Sequence, residues 1–323
     1  MHQRLDTLER PQTPQRTPRP ARSGRSVWAR AWRQRWMYVF ILPGLLYFVV
    51  FRYIPLAGNV VAFQQYSPFL GFAESPWVGL SNFTAMFSDP EVIRALQNTL
   101  WFSLLQIVFA FPAPIALALL LNSLLSDRIK RVVQSVVYLP HFIGWVIVVS
   151  LWQEIFGGAG VLNRLLEPVG VGPLNLMADP DTFAGLITAQ VIWKEVGWGT
   201  IIFFAAITMI SPQLYESAAV DGAGPWRRLW HVTLPGISSV IVLLLILRLG
   251  TVLTVGFEQL LLQQPAVGAD AAQVVDTFTY YRGVLGGDWG LAAAVGLVKG
   301  VIGTVLVVGA NRLAKRMGGQ GVF

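Results

Sequence analysis

No cysteine occurs in the 323 residues. Disulfides, thiolate metal sites and cysteine nucleophiles are excluded, and the chain says nothing of its compartment through thiol chemistry. Charge is scarce as well. Charged residues make up 13% of the chain, where a soluble domain carries about a quarter. The four lysines, at 130, 194, 299 and 315, all lie outside any Gly-x4-Gly-Lys-Ser/Thr pattern. The chain therefore cannot cradle nucleotide phosphates in a P-loop. His2, His141 and His231 stand far apart, and no pair has the spacing of metal ligands. No Ser/His/Asp arrangement can be argued, so a membrane enzyme lacks a catalytic cluster.

What the chain has instead is apolar length. Hydrophobic residues are 54% of the total. A membrane span needs about 20 of them, rising 1.5 Å each across about 30 Å. Six stretches qualify: roughly 36–56, 98–121, 132–152, 183–210, 236–262 and 291–310. This predicts an all-α membrane fold with one domain over residues 36–318.

Charge bias orients it. Residues 1–35 hold nine Arg but only two acids, Asp6 and Glu9, and no apolar period. They read as a disordered basic cytoplasmic tail whose positive flank keeps the N-terminus inside, with binding to anionic lipid the milder functional alternative. No cleavage site follows, so a removable signal peptide is not expected. With the tail inside, 17 of the 24 Lys and Arg fall on inner segments and Arg94, Arg164 and Arg282 on outer loops. That is a positive-inside pattern with both termini cytoplasmic. The net charge of +7 is thus a topology signal and does not indicate nucleic-acid binding. On the outer side, Ser88-Asp-Pro-Glu91 signals a helix start, and Ser75–Phe83 reads as a compact aromatic turn.

One inner segment, residues 211–235, is too polar to span and too ordered in pattern to be a linker. Pro212 can open a helix, Gly222 and Gly224 allow a bend, Pro225 can restart a helix, and Pro235 closes the unit. Glu216-Ser217-Ala218 is followed by three residues, Gly222, nine residues, and Val232-Thr-Leu-Pro235.

This spacing resembles the Glu-Ala-Ala loop of ABC importer permeases. The likeness extends along nearly all of residues 36–318 to the carbohydrate-uptake branch, in particular its polysaccharide or complex-oligosaccharide subgroup. Supporting stretches are Ala95-Leu-Gln-Asn-Thr99, Tyr138-Leu-Pro-His-Phe142, Ile192–Thr200 and Gly256-Phe-Glu-Gln259. The resemblance implies a type I importer fold in the bacterial cytoplasmic membrane and alternating access. It implies that Glu216, Ala218, Asp221, Gly222, Trp226, Leu234 and Pro235 couple to a separate ATPase chain. Two such ATPases, a second and distinct permease subunit and an extracytoplasmic sugar-binding protein are the implied partners. ATP and magnesium would sit on the ATPases, with no cofactor or metal on this chain. For Trp226 and Trp230, interfacial lipid contact is an equal alternative to docking.

Charges within spans are costly, roughly 2.5–3.5 kcal/mol near midplane on insertion scales. Lys194, Glu195 and Arg248 are placed near midplane, with Arg52 and Lys299 further out. They either pair structurally, for example Glu195 with Arg248 or Lys299, or line a polar path. Four cations against Glu195 leave spare positive charge, which suits an acidic, uronate-type oligosaccharide. Trp193, Trp198 and Phe257 could stack on sugar rings or simply pack between helices. The alternative function is an ATP-independent secondary transporter or channel for a polar solute. The absence of an inverted repeat argues against it.

Overall fold

Two Asp-Pro pairs open two of the long helices. Asp89 accepts the Glu91 amide at 2.8 Å, with Pro90 at the first helical position. Asp179 accepts the Asp181 amide at 3.1 Å, and Thr182 donates to its second oxygen at 2.8 Å. Both caps satisfy amides that a first helical turn leaves unpaired, and proline has none to satisfy. The helix start expected at Ser88–Glu91 is thus where the chain places it.

The computed structural model describes Trp32, residues 34–124 and residues 126–316. The basic tail assigned to residues 1–35 lies outside the described residues, except for Trp32, Gln34 and Arg35. The chain divides into two units at Gly58. The first holds α1 (Arg35–Phe48), with Pro43 inside it, then the π-helical turn Val49–Tyr53 and Ile54–Ala57. The second holds α2 (Ser81–Ser88), α3 (Pro90–Leu105), α4 (Pro112–Ser123), α5 (Asp127–Tyr138), α6 (Trp145–Phe156) and α7 (Val161–Leu166). It continues with α8 (Pro180–Thr208), α9 (Pro212–Val220), α10 (Pro225–Arg228), α11 (Leu234–Gly250), α12 (Phe257–Val267) and α13 (Trp289–Arg316). No strand occurs among the described residues, only an isolated antiparallel bridge between Gln64 and Trp77.

Three times a π turn is followed by an apolar residue and a proline. Val49–Tyr53 precedes Ile54-Pro55, Gln106–Ala110 precedes Phe111-Pro112, and Leu229–Thr233 precedes Leu234-Pro235. The Phe111 amide reaches five residues back to the Gln106 carbonyl at 2.8 Å. Proline has no amide, and its ring crowds the carbonyl four residues before it. A widened turn ahead of the proline lets the helix continue. Pro235 therefore does not close the cytoplasmic unit, as the sequence reading had it. It stands second in α11, and the loop runs into the span without a stop.

Six helical stretches are long and apolar enough to cross a membrane, the number expected: Arg35–Phe63, Pro90–Ser123, Trp145–Val169, Pro180–Thr208, Pro225–Gly250 and Trp289–Arg316. Two boundaries differ from the sequence reading. The span expected at 132–152 is broken: α5 ends at Tyr138, a 3-10 turn covers Leu139–Phe142, and α6 begins at Trp145. Pro140 and the extended Gly144 account for the break. The 12-residue α5 is about 18 Å long at 1.5 Å per residue, too short to cross about 30 Å, and the third crossing stretch instead begins at Trp145 and runs on through α7 to Val169. The span expected at 236–262 stops at Gly250. Residues 251–256 are not helical, and Gly256 has φ +57, a value natural to glycine.

Packing divides into three clusters. Phe102, Phe183, Ile187 and Leu260 join α3, α8 and α12. Met86, Val92, Phe278 and Leu291 join α2, α3, the outer segment 275–278 and α13. At the inner end Ala118, Phe203, Ile207 and Ile237 join α4, α8 and α11. Helix α8 is the common member of two of these. Its glycines permit the closest crossings. A Cβ on Gly197 would lie 2.0 Å from the Val137 carbonyl oxygen, and one on Gly199 2.8 Å from the Pro114 ring.

Candidate coupling loop and translocation path

The cytoplasmic segment folds as a helix, a left-handed turn and a second helix. After α9, the Gly222 amide donates to Ala219 O at 3.1 Å and the Ala223 amide to Ala218 O at 2.8 Å. Gly222 makes the turn with φ +75, and a Cβ there would meet nothing within 4 Å. The glycine is needed for its backbone, not for room. The two arms are tied by Tyr215 and Thr233, whose hydroxyls are 3.0 Å apart.

The residues assigned to coupling lie on this unit and face outward. Glu216, Asp221, Gly222, Trp226 and Pro235 are exposed, and Ala218 and Leu234 are half-buried. Val220, Trp226 and Trp230 are 88%, 74% and 61% exposed. Glu216 borders a cleft of about 470 Å³ shared with Asn122, Thr208 and Tyr215. An acid and bulky apolar groups left in the open contribute little to holding this chain together. They are available to another surface.

The intramembrane charges form separate groups. At the centre of the 29-residue α8, Lys194 is 6% exposed. Its Nζ donates to the His141 carbonyl at 2.7 Å, a carbonyl in the break of the third span, and lies 3.5 Å from Glu195 Oε1. It also stands over the Trp145 ring at 5.6 Å. His141 Nδ1 donates to Glu195 Oε2 at 2.8 Å, and its ring stacks on Trp198 at 4.4 Å. Trp198 is 47% exposed, so this cluster presents a carboxylate, an imidazole and an indole to the same open face.

The pairings considered for Glu195 do not occur. Arg248 donates to the Gln106 side-chain carbonyl, and Lys299 pairs with Asp276, an acid from the outer loop. Arg248 lies two residues from the end of α11 rather than mid-span. Among the described residues Lys194 and Lys299 have carboxylate partners and Arg248 has none. Trp193 packs edge-on to Trp152 at 6.5 Å, and Phe257 edge-on to Tyr280 at 5.7 Å. Those two rings serve packing first.

Sequence reasoning missed a buried amide network. Gln190, Gln259 and Gln263 are each 2% exposed or less. Gln190 and Gln263 exchange amide hydrogen bonds at 3.1 and 3.0 Å, and Gln259 donates to Gln190 at 2.7 Å and to the Ile187 carbonyl at 3.0 Å. It locks α12 to α8. The spacing of Gln259 and Gln263, one turn apart in α12, was the available signal.

Six apolar helices, a positive inner face and an exposed helical loop define a multi-pass transport permease of the cytoplasmic membrane. Residues 110–319 match the family described as "Binding-protein-dependent transport system inner membrane component". The chain is 44% identical to Protein LplB of Bacillus subtilis (strain 168), over 94% of this chain and 96% of that one. It is 45% identical to the polygalacturonan/rhamnogalacturonan transport system permease protein YteP of the same organism, over 90% and 91%. In structure it is similar to a chain of a bacterial alginate ABC transporter, solved in complex with an alginate pentasaccharide-bound periplasmic protein. The TM-score is 0.85 and the identity 37%, over 92% of this chain and 99% of that one. The chain belongs to the binding-protein-dependent transport system inner membrane component family. It is an ABC importer permease and not an enzyme, and the reading as an ATP-independent transporter is set aside.

Proposed function

We propose that this chain forms one half of the translocation path for an acidic, uronate-type oligosaccharide. The observation that carries the reading is Arg248. Its guanidinium has only an amide oxygen, that of Gln106, as a hydrogen-bond partner among the described residues. A guanidinium has five donors in a planar fork suited to a carboxylate. The names of the similar proteins point the same way, to polygalacturonan and to the acidic polysaccharide alginate. Glu195, His141 and Trp198 would meet the sugar's hydroxyls and ring face, with Trp193 and Phe257 supporting the path by packing.

In this reading a second, homologous permease subunit supplies the other half. A ligand-loaded extracytoplasmic binding protein delivers the cargo. Two ATPase chains, carrying ATP and magnesium, dock on Glu216, Ala218, Asp221, Gly222, Trp226, Leu234 and Pro235. Their closure moves the loop, and the path alternates between inward and outward access. The test is uptake of tetragalacturonate and of its carboxyl-reduced, neutral form by cells expressing the full transporter. Preference for the acidic form, lost in Arg248→Gln, is expected. Equal uptake of both forms by the unaltered chain overturns the substrate reading. Co-purification of the tagged chain without an ATPase overturns the coupling reading.

A further inference from the structure

The outer side carries a second polar cavity, remote in sequence from the loop and from the charges of α8 and α11. It lies between residues 64–82, which follow the first span, and residues 286–290, which open α13, and its volume is about 660 Å³. That falls within the roughly 300–1,000 Å³ of small-molecule sites.

The cavity is built rather than incidental. Phe63 stacks on Trp77 with centroids 5.6 Å apart and planes 8° from parallel. The Asn82 amide donates to the Ala62 and Gln64 carbonyls at 2.9 and 3.0 Å. Gly290 lets α13 close onto this frame, since a Cβ there would fall 2.6 Å from the Gln64 carbonyl. Gln64 lines the cavity and is 6% exposed. Its Nε2 donates to the Phe72 carbonyl at 2.8 Å, while its Oε1 has no partner among the described residues. A buried acceptor without a donor is an uncommon feature that calls for one. Tyr66, Trp289, Gln65, Asn82 and Asp288 also line it, and the lining contains no Lys or Arg.

Two aromatic rings, three side-chain amides and one carboxylate, with no cation, suit a ring that offers hydroxyl donors and an apolar face. They do not suit a carboxylate, which Asp288 would repel. We infer that this outer cavity is a subsite for an uncharged glycosyl unit, holding a part of the oligosaccharide that has not yet entered the path. Trp289 supplies the stacking face, and Gln64, Gln65 and Asp288 accept hydroxyl hydrogens. The inference rests on the oligosaccharide reading above, and its test separates the two.

The probe is the carboxyl-reduced tetragalacturonate, and the readout is saturation-transfer NMR on the full-length chain in nanodiscs. Binding by the unaltered chain is expected. It should weaken about fivefold in Trp289→Ala and in Gln65→Ala, the worth of one neutral contact. Gln65 is exposed, so its variant leaves the frame intact if Trp289→Ala does not fold. No signal from the unaltered chain, or the same signal in both cavity variants, overturns the inference. If tetragalacturonate uptake is then normal, the failure lies with the outer subsite alone. If cells take up no oligosaccharide while the neutral probe still binds at Trp289, the failure lies with the transport reading and the outer site stands.

Discussion

The cytoplasmic loop and the break in the third span differ in where their polar groups spend their bonding capacity. At the break, Lys194, Glu195 and the His141 side chain and carbonyl bond to one another within about one turn of α8. In the loop Glu216 and Asp221 form no ion pair among the described residues, and Val220 and Trp226 stand in the open. Groups that satisfy each other stabilise the chain that carries them. Groups left open leave stability nearly untouched and affect what the chain touches. The two regions should therefore respond oppositely to substitution.

The largest expected effect on stability lies at the break. Gly197→Leu drives a side chain into the Val137 carbonyl, where even a Cβ would sit at 2.0 Å. Overpacking of a rigid crossing costs about 3 kcal/mol or more. Thermal unfolding in detergent should show loss of the folded population. A protein that melts normally would mean α5 and α8 part easily, and the contrast would collapse. Next comes Gln190→Leu, which strips partners from the buried Gln259 and Gln263 amides. It should destabilise by about 2 kcal/mol, read as a lower Tm with membrane insertion retained.

Glu195→Gln is smaller. Its carboxylate is 40% exposed, so the lost pairing should cost within about 1 kcal/mol after solvent screening. Oligosaccharide uptake should fall while the melting curve barely moves. At the far end of the scale stands Glu216→Ala, with a change in stability within about 0.5 kcal/mol and loss of ATP-driven uptake. Gly222→Pro should likewise insert in the membrane and fail to transport, because proline cannot adopt the φ of +75 found there. Normal uptake by both loop variants would remove the coupling role and leave their exposure without a function.

The same contrast decides what the sequence could reveal. The loop was legible because its form is local: Pro212, Gly222 and Pro225 set helix, turn and helix within a few residues of each other. The number of spans was legible for a similar reason, since apolar length alone sets it. The partners of the intramembrane charges were not. Lys299 meets Asp276 across an outer loop and Arg248 meets Gln106 across 142 positions, distances that no periodicity reports. The broken third span was partly visible in Pro140 and Gly144. An apolar run around a proline can continue, as it does at Pro112 and Pro235, so composition alone did not distinguish a stop from a π turn.

The continuity of α10, the π turn and α11 has a mechanical meaning. Pro225–Gly250 is one helical stretch of 26 residues, with the exposed loop at one end and Arg248 at the other. At 1.5 Å per residue the arm from Pro225 to Arg248 is about 35 Å long, so a tilt of ~5° at the loop sweeps the guanidinium sideways by ~3 Å. A hydrogen bond does not survive such a displacement. In the transport cycle proposed above, a nudge too small to alter the loop's own fold would therefore be geared up into making or breaking a contact of Arg248 at the far end.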